Sequence, residues 1–162
     1  MRDSSSATHF LAVVSEHQGI IHKVCRMYRD LPEDREDLYQ EVVFQLWKAF
    51  PSFRGEAKVS SWMYRIALNT AMAAFRKQRP AVDLPGEVPD FATAPNQEAN
   101  LEEERLFAAL RTLNDAEKSV VSLYLEGFAY QEIADITGLT ENAVGIRLTR
   151  IKAKLKEKLS NG

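Results

Sequence analysis

Residues 128–155, FAYQEIADITGLTENAVGIRLTRIKAKL, decide how the C-terminal part of this chain folds. Apolar residues over 133–136 predict one face of a short helix, and Gly138 supplies a residue that can adopt a positive φ where that helix ends. Thr140 is a suitable N-cap for a second helix. In that second helix, spacings of four, three and four predict one buried stripe, made of Val144, Leu148, Ile151 and Leu155. The stretch therefore predicts a helix-turn-helix.

The second of these helices is basic, although the chain as a whole has a formal net charge of −2. Away from the stripe, Glu141 and Glu157 are outnumbered by six cations, which are Arg147, Arg150, Lys152, Lys154, Lys156 and Lys158. Local positive charge suits phosphate binding, and a helix-turn-helix places its second helix in a DNA major groove. The alternative is a terminal amphipathic helix with solvated lysines, which would need neither the glycine turn nor the preceding helix.

The composition indicates a globular chain that stays inside the cell. Its 162 residues are 45% hydrophobic, which suits one large or two small domains with buried cores. The single cysteine, Cys25, excludes an internal disulfide, and its apolar neighbours favour a packing role over a reactive one. The first ten residues, MRDSSSATHF, lack the apolar core of a signal peptide, and no run approaches the length of a membrane span. We therefore expect a cytoplasmic protein.

Residue types that carry catalysis or bind metals form no recognisable group in this sequence. The three histidines have no metal-ligand spacing with cysteine or with closely spaced carboxylates. There is no Gly-rich phosphate loop and no nucleophile elbow. Paired carboxylates such as Glu33 and Glu36 lack the partner base or metal set that hydrolysis would need. We expect no enzyme, no metal, no other cofactor and no small-molecule substrate.

Residues 81–100, AVDLPGEVPDFATAPNQEAN, separate two parts of the chain. They contain three prolines and four carboxylates without a cation, which predicts a flexible acidic linker. Strand alternation and hairpin turns are missing on both sides, so we expect an all-α fold with two helical domains, 1–80 and 101–162. The helices are predicted over 5–29, 34–50, 60–80, 101–113 and 115–126, before the helix-turn-helix. Asp34 and Asp115 are the predicted N-caps of two of them.

A second signature occupies residues 34–79, DREDLYQEVVFQLWKAFPSFRGEAKVSSWMYRIALNTAMAAFRKQR. It predicts an acidic helix followed by a helix in which aromatic residues alternate with cations. Bases stack on aromatic rings while phosphates meet Arg and Lys, so the second helix suits single-stranded DNA. The alternative is that Trp62 and Ile66 are core residues and the cations are ordinary helix-end charges. Spacing alone does not decide between the two.

The run DREDLYQEVVFQLWKAFPSFRGEAKVSSWMYRIALNTA resembles the second conserved domain of bacterial sigma factors of the extracytoplasmic-function (ECF) group. The run YQEIADITGLTENAVGIRLTRIKAKL resembles the fourth conserved domain of the same group. Both occur in the family's order, with no room for the third domain of primary sigma factors. The resemblance implies a non-catalytic transcription initiation factor. It would bind core RNA polymerase, recognise a minus-thirty-five promoter element, and capture and melt a minus-ten element. A partner anti-sigma protein is also implied.

The resemblance further implies roles for residues of the first domain. Residues that match the polymerase-docking helix are Glu36, Asp37, Leu38, Gln40 and Glu41, whose alternative is a solvated helix face. Residues that match the minus-ten binding region are Phe53, Arg54, Lys58, Trp62, Tyr64, Arg65, Asn69, Arg76, Lys77 and Arg79. Within this set the base-capturing loop corresponds to about 53–59. Arg65 has the alternative of an ion pair on the helix surface.

In the second domain the resemblance assigns the minus-thirty-five contacts to Thr140, Glu141, Asn142, Gly145, Arg147, Thr149 and Arg150. Asn142 can pair with adenine and Glu141 can accept from cytosine. Arg147 and Arg150 suit phosphates, and Arg147 has the alternative of pairing with Glu132 inside the motif.

The sequence departs from the family pattern at two places. Ala73 stands where an acidic residue is common, and Gly145-Ile146 stand where Lys-Ser is common. Glycine inside a helix costs about 1 kcal/mol relative to alanine. Gly145 therefore indicates either a close approach of the helix backbone to DNA or an unusually soft helix. These departures bear on the promoter sequence and leave the family assignment unchanged.

A stand-alone helix-turn-helix regulator is the rival interpretation. Its N-terminal helical bundle would bind a ligand or dimerise, and the isolated chain would bind palindromic DNA tightly. This interpretation leaves the acidic cluster at 36–41 without a role.

Overall fold

The computed structural model describes residues 4–53, 55, 58–73 and 101–160. All regular secondary structure in this part of the chain is helical, which confirms the all-α prediction. The helices are α1 (Ser4–Tyr28), α2 (Pro32–Ala49), a 3-10 helix (Phe50–Ser52), α3 (Val59–Met72), α4 (Leu101–Arg111), α5 (Asp115–Leu125), α6 (Tyr130–Thr137) and α7 (Glu141–Ser160). The predicted linker 81–100 and the predicted site residues Arg54, Arg76, Lys77 and Arg79 lie outside the described residues.

Contacts divide the chain into two compact units. Unit 1 consists of Met1–Cys25 and Leu31–Asn96, and unit 2 consists of Arg26–Asp30 and Gln97–Gly162. Each unit buries its own set of large apolar side chains. Among the described residues, no helix is long and apolar enough to cross a membrane.

Unit 1 is held together by α2, which packs against α3 and also carries rings that contact α1. The Phe10 ring centroid lies 4.8 Å from that of Trp47 and 5.3 Å from that of Phe50. Leu46 and Trp47 of α2 are buried. Cys25 is fully buried, which confirms its packing role. The side of α2 away from these contacts is exposed to solvent at Glu36, Asp37 and Gln40.

Unit 2 is built around α7, against which α4, α5 and α6 pack. The turn after α5 is closed by Gly127, whose φ is 90°. The Gly127 N–H donates to the Tyr124 carbonyl at 3.0 Å, and the Phe128 N–H donates to the Leu123 carbonyl at 3.1 Å. This glycine-terminated end of α5 agrees with the predicted stop at Gly127 and directs the chain into α6.

Two predicted N-caps and two predicted helix ends were wrong, and one of these ends is that of α4, which stops at Arg111 and not at residue 113. Helix α2 begins at Pro32 with Leu31 as its N-cap, so Asp34 lies in the first turn and does not cap. Proline is favoured at the first helical position because its missing N–H has no partner there. Helix α5 is capped by Asn114 and not by Asp115. Helix α3 ends at Met72, where Ala73 adopts an extended conformation, so the predicted helix to residue 80 is interrupted.

Candidate nucleic-acid interface

The turn between α6 and α7 has the geometry that the sequence predicts. Gly138 has a φ of 82° and its N–H donates to the Ala134 carbonyl at 2.8 Å. The Thr140 Oγ1 accepts the Ala143 N–H at 3.1 Å, which confirms Thr140 as the cap of α7. At the other end of α6, the Glu132 Oε1 accepts the Ala129 N–H at 3.0 Å. Hydrogen bonds therefore cap both ends of α6 and the start of α7.

The predicted stripe of α7 is the face that enters the core of unit 2. Val144 and Ile151 are 0% exposed and Leu148 is 1% exposed. The opposite face is open to solvent and consists of Asn142, Ile146, Thr149 and Arg150. We call these four residues the outward face of α7. The structure thus brings three predicted minus-thirty-five residues onto one surface. Thr140 and Glu141 are exposed at the start of the helix, while Arg147 is half-buried.

An ion pair between a buried carboxylate and a half-exposed lysine joins α7 to α5, and the sequence did not predict it. The Lys154 Nζ lies 2.7 Å from the Glu117 Oε2, and the Glu117 side chain is only 9% exposed. Glu117 also completes a capping box, since its backbone N–H donates to the Asn114 Oδ1 at 2.8 Å and its Oε1 accepts the Asn114 N–H at 3.1 Å. Lys154 therefore holds α7 of the helix-turn-helix against α5, in addition to any contact that it makes with phosphate.

The charge of Glu117 is maintained by its partners. Burial raises the pKa of Glu117, but hydrogen bonds from Lys154 and from the Asn114 N–H, with the charges of Lys154 and Arg147, bring it below its ordinary value. Arg147 is half-buried, and its positive charge contributes to this lowering of the pKa.

A second basic residue of α7 interacts with its own unit. The Lys152 Nζ lies 4.5 Å from the ring centroid of Tyr124, over the ring, and the Tyr124 side chain raises the pKa of Lys152. Arg150, Lys156 and Lys158 are exposed. Lys152 and Lys154 are exposed as well, so five of the six cations lie on the surface of α7 and two of these five also contact their own unit.

Gly145 lies beneath the ring of Tyr130, the first residue of α6. A Cβ placed on Gly145 would lie 3.5 Å from Cε2 of that ring, which is an ordinary van der Waals distance. The fold of unit 2 consequently does not require a glycine at this position. The close approach of a partner to the α7 backbone, suggested by the sequence, remains a prediction.

We expect Gly145→Ala to raise the free energy of unfolding by about 0.5–1 kcal/mol, since alanine removes the helix penalty of glycine and its methyl group fits under Tyr130. Urea denaturation followed by circular dichroism measures this change. Gly127→Ala is the matched control: Gly127 has a φ of 90°, so alanine there should destabilise the protein. Destabilisation by Gly145→Ala would show that the ring cannot tolerate the methyl group.

The outward face of α3 contains part of the predicted minus-ten set. Lys58, Arg65 and Asn69 are exposed and Trp62 is half-buried, at spacings of four, three and four residues. Tyr64 does not belong to this face, because it is 2% exposed and packs in the core of unit 1. Four described members of the predicted set therefore share one surface, and Tyr64 supports it from within.

Trp62 and Phe53 lie at the edge of an aromatic cluster. Their ring centroids are 4.7 Å apart, and the Phe50 centroid lies 6.1 Å from that of Trp62. Phe50 is 9% exposed, whereas Phe53 and Trp62 are half-buried. Trp62 thus packs partly in this cluster, as the core interpretation expects, while part of its ring stays accessible and its role in binding DNA stays a prediction.

The polar face of α2 presents four of its five predicted docking residues. Glu36, Asp37 and Gln40 are exposed, and Glu41 is half-buried with its Oε2 accepting from the Gln45 Nε2 at 3.0 Å. We call these four residues the acidic ridge of α2. Leu38 is 5% exposed and packs inward, so it supports the ridge and has little surface to offer a partner. Among the described residues, no group of histidine, cysteine or carboxylate side chains could hold a metal ion.

Two family models match the chain. The model of sigma-70 region 2 matches residues 13–81, and that of sigma-70 region 4 matches residues 103–155. The first match contains α2 and α3, and the second contains the helix-turn-helix.

Known proteins with similar sequence are sigma factors. The ECF RNA polymerase sigma-E factor of Haemophilus influenzae is 29% identical over an alignment that covers 93% of this chain and 87% of that protein. The ECF RNA polymerase sigma factor SigM of Mycobacterium tuberculosis is 27% identical over 141 residues, which cover 86% of this chain and 71% of that protein.

Two solved structures share the fold of this chain. CnrH in complex with the cytosolic domain of CnrY has a TM-score of 0.66 and 21% identity, over 98% of this chain and 94% of that one. RpoE of Bartonella quintana in complex with the anti-sigma factor NepR has a TM-score of 0.63 and 18% identity, over 94% and 95% of the two chains. With both family models matched in order and ECF sigma factors as its relatives, this chain belongs to the ECF group of RNA polymerase sigma factors, the non-catalytic factors of promoter-specific transcription initiation.

Proposed function

We propose that unit 2 recognises the minus-thirty-five element of a promoter as duplex DNA through the outward face of α7. The observation that carries this proposal is the outward face itself, with polar and cationic side chains opposite a fully buried stripe. Asn142 offers an amide that pairs with adenine, and Arg150 offers a guanidinium for phosphate or guanine. The hydrogen-bonded turn and the Glu117–Lys154 ion pair hold α7 in place for contact with the base pairs.

Unit 1 captures the minus-ten element as a single strand in this proposal. Lys58 and Arg65 lie on the outward face of α3 and suit phosphates, while Asn69 offers an amide to a base. Phe53 and Trp62 form the accessible edge of the aromatic cluster, where a base can stack. The free energy needed to open the DNA duplex comes from such captured bases and from contacts with the polymerase.

The acidic ridge of α2 is the proposed docking site for core RNA polymerase. Charged side chains on a helix that is fixed by its buried face can match a basic partner without rearrangement. One solved structure of the same fold is the sigma factor RpoE bound to the anti-sigma factor NepR, and another is CnrH bound to the cytosolic domain of CnrY. We propose that an anti-sigma protein binds this chain as well, and that the chain acts in the cytoplasm, where it would meet the polymerase.

Run-off transcription tests the proposed function. Purified chain, bacterial core RNA polymerase and a pool of promoter fragments are mixed, and the transcripts are sequenced. Specific transcripts that require this chain, with shared sequences at both upstream elements, are the expected result. Tight binding of palindromic DNA by the isolated chain, without transcripts, would instead support a stand-alone regulator.

We expect Asn142→Ala to relax the base preference at one position of the upstream element by about tenfold, because a bidentate amide–adenine pair is worth about 1–3 kcal/mol. Selection of binding sites from a randomised pool, with the chain bound to core polymerase, measures the change. Lys156→Ala is the control, since an exposed lysine that meets phosphate should weaken all sequences alike. A uniform loss with Asn142→Ala would show that this residue only positions the helix.

A further inference from the structure

Ile146 is a large apolar side chain at the centre of the outward face of α7. It is 46% exposed, whereas Val144, two residues earlier, is 0% exposed. At 3.6 residues per turn, two residues turn the helix by about 200°, so Ile146 projects away from the core of unit 2. Asn142 lies one turn before it, and Thr149 and Arg150 lie one turn after it, all exposed. Packing within the unit therefore does not account for an isoleucine here.

The surroundings of Ile146 form a small apolar surface inside a polar and basic one. Tyr130, which is 41% exposed, lays its ring against Gly145, the residue before Ile146. The exposed cations of α7 all follow Ile146 in the helix, and Arg150, one turn after it, is part of the outward face. A matching partner must be polyanionic and must also present an apolar group. The DNA major groove meets both requirements, because thymine carries its C5-methyl group there.

We propose that Ile146 contacts a thymine C5-methyl group in the major groove of the upstream promoter element and so determines specificity at that base pair. This inference rests on the proposed function of α7 and adds a base identity to it. Asn142 and Ile146 are four residues apart, about 6 Å along the helix axis. Base pairs are spaced by about 3.4 Å, so the thymine lies within about two base pairs of the base that Asn142 reads.

Removing the methyl group from DNA tests the contact without changing the protein. The wild-type chain with core RNA polymerase is bound to its selected upstream element, and each thymine is replaced in turn by deoxyuridine. We expect one replacement near the Asn142 position to weaken binding about fourfold, the value of one buried methyl-sized group. Cytosine at the same position should bind more weakly than 5-methylcytosine.

The variant Ile146→Ala completes the test. It should lose affinity for the thymine element and respond equally to thymine and deoxyuridine, while Ile146→Val should keep most of the sensitivity to the methyl group. Equal binding of thymine and deoxyuridine by the wild-type chain at every position would overturn the inference. So would an unchanged deoxyuridine effect in Ile146→Ala. If the wild-type chain with polymerase selected no upstream element at all, the proposed function itself would fail.

Discussion

The double variant Asp37→Arg/Glu41→Arg is expected to bind core RNA polymerase about 100-fold more weakly than the wild-type chain, because reversing charges on a complementary docking surface costs several kcal/mol. Asp37 and Glu41 lie one helical turn apart on the acidic ridge, and neither is fully buried. The buried face of α2 is untouched by the change, so the helical signal and the unfolding midpoint should remain near the wild-type values. Fluorescence titration of the labelled chain with core polymerase measures the affinity.

A second double variant separates docking from net charge. Glu16→Arg/Glu126→Arg changes two exposed carboxylates outside the ridge, and it alters the formal charge by the same amount. We expect this control to bind polymerase nearly as well as the wild-type chain at physiological salt, where exposed charges beyond about 8 Å are screened. Equal losses in both variants would mean that the whole-chain charge governs binding, and the ridge would lose its assigned role.

Elements whose signals are local in sequence were predicted well. The stripe of α7 follows from four apolar residues at helical spacing, and all of them face inward to some degree. Gly138 and Thr140 mark the turn because a positive φ and an N-cap each favour few residue types. Where two signals competed, the prediction failed. Asp34 looked like a cap, but Pro32 already starts α2.

The placement of single side chains was less predictable than the helices that carry them. Leu38 and Tyr64 were assigned to binding surfaces because they lie within matching motifs, yet both are at most 5% exposed. Neighbours in sequence point about 100° apart on a helix, so one residue of a motif can face a partner while the next faces the core. Ile146 shows the reverse case. Its exposure follows from its position relative to the stripe, and periodicity alone could have found it.

Contacts between residues that lie far apart in the sequence could not be predicted from it. Glu117 had a visible local signal, since Asn114 and Glu117 have the spacing of a capping box. Nothing in the sequence indicated that Lys154, 37 residues later, would reach the same carboxylate. The lysine appeared to be one more cation for DNA, and only packing of α5 against α7 gives it a structural role. A substitution at Lys154 can therefore measure how much its contact with Glu117 stabilises unit 2.

Lys154→Met is expected to lower the unfolding free energy of unit 2 by about 2–3 kcal/mol, because it leaves the Glu117 carboxylate buried without its charged partner. Methionine keeps the apolar stem of the lysine, so lost packing contributes little. The Lys154 side chain is 51% exposed, and water screens part of the pair, which is why we expect less than the cost of breaking a fully buried pair. Urea denaturation gives the loss, and hydrogen exchange of the α5 and α7 amides assigns it to unit 2.

Two controls and the pH dependence make this prediction specific. Lys156→Met removes an exposed lysine from the same helix and should cost less than about 0.5 kcal/mol. Adding Glu117→Gln to Lys154→Met should restore much of the stability, since glutamine keeps the capping box and leaves no buried charge. The lowered pKa of Glu117 means that its ionised form stabilises the wild-type protein at neutral pH, and this contribution is lost as the pH falls through that pKa. The deficit of Lys154→Met should therefore shrink in acid, where the carboxyl group is protonated in both proteins; a deficit that persisted unchanged would point to lost packing instead of an unpaired charge.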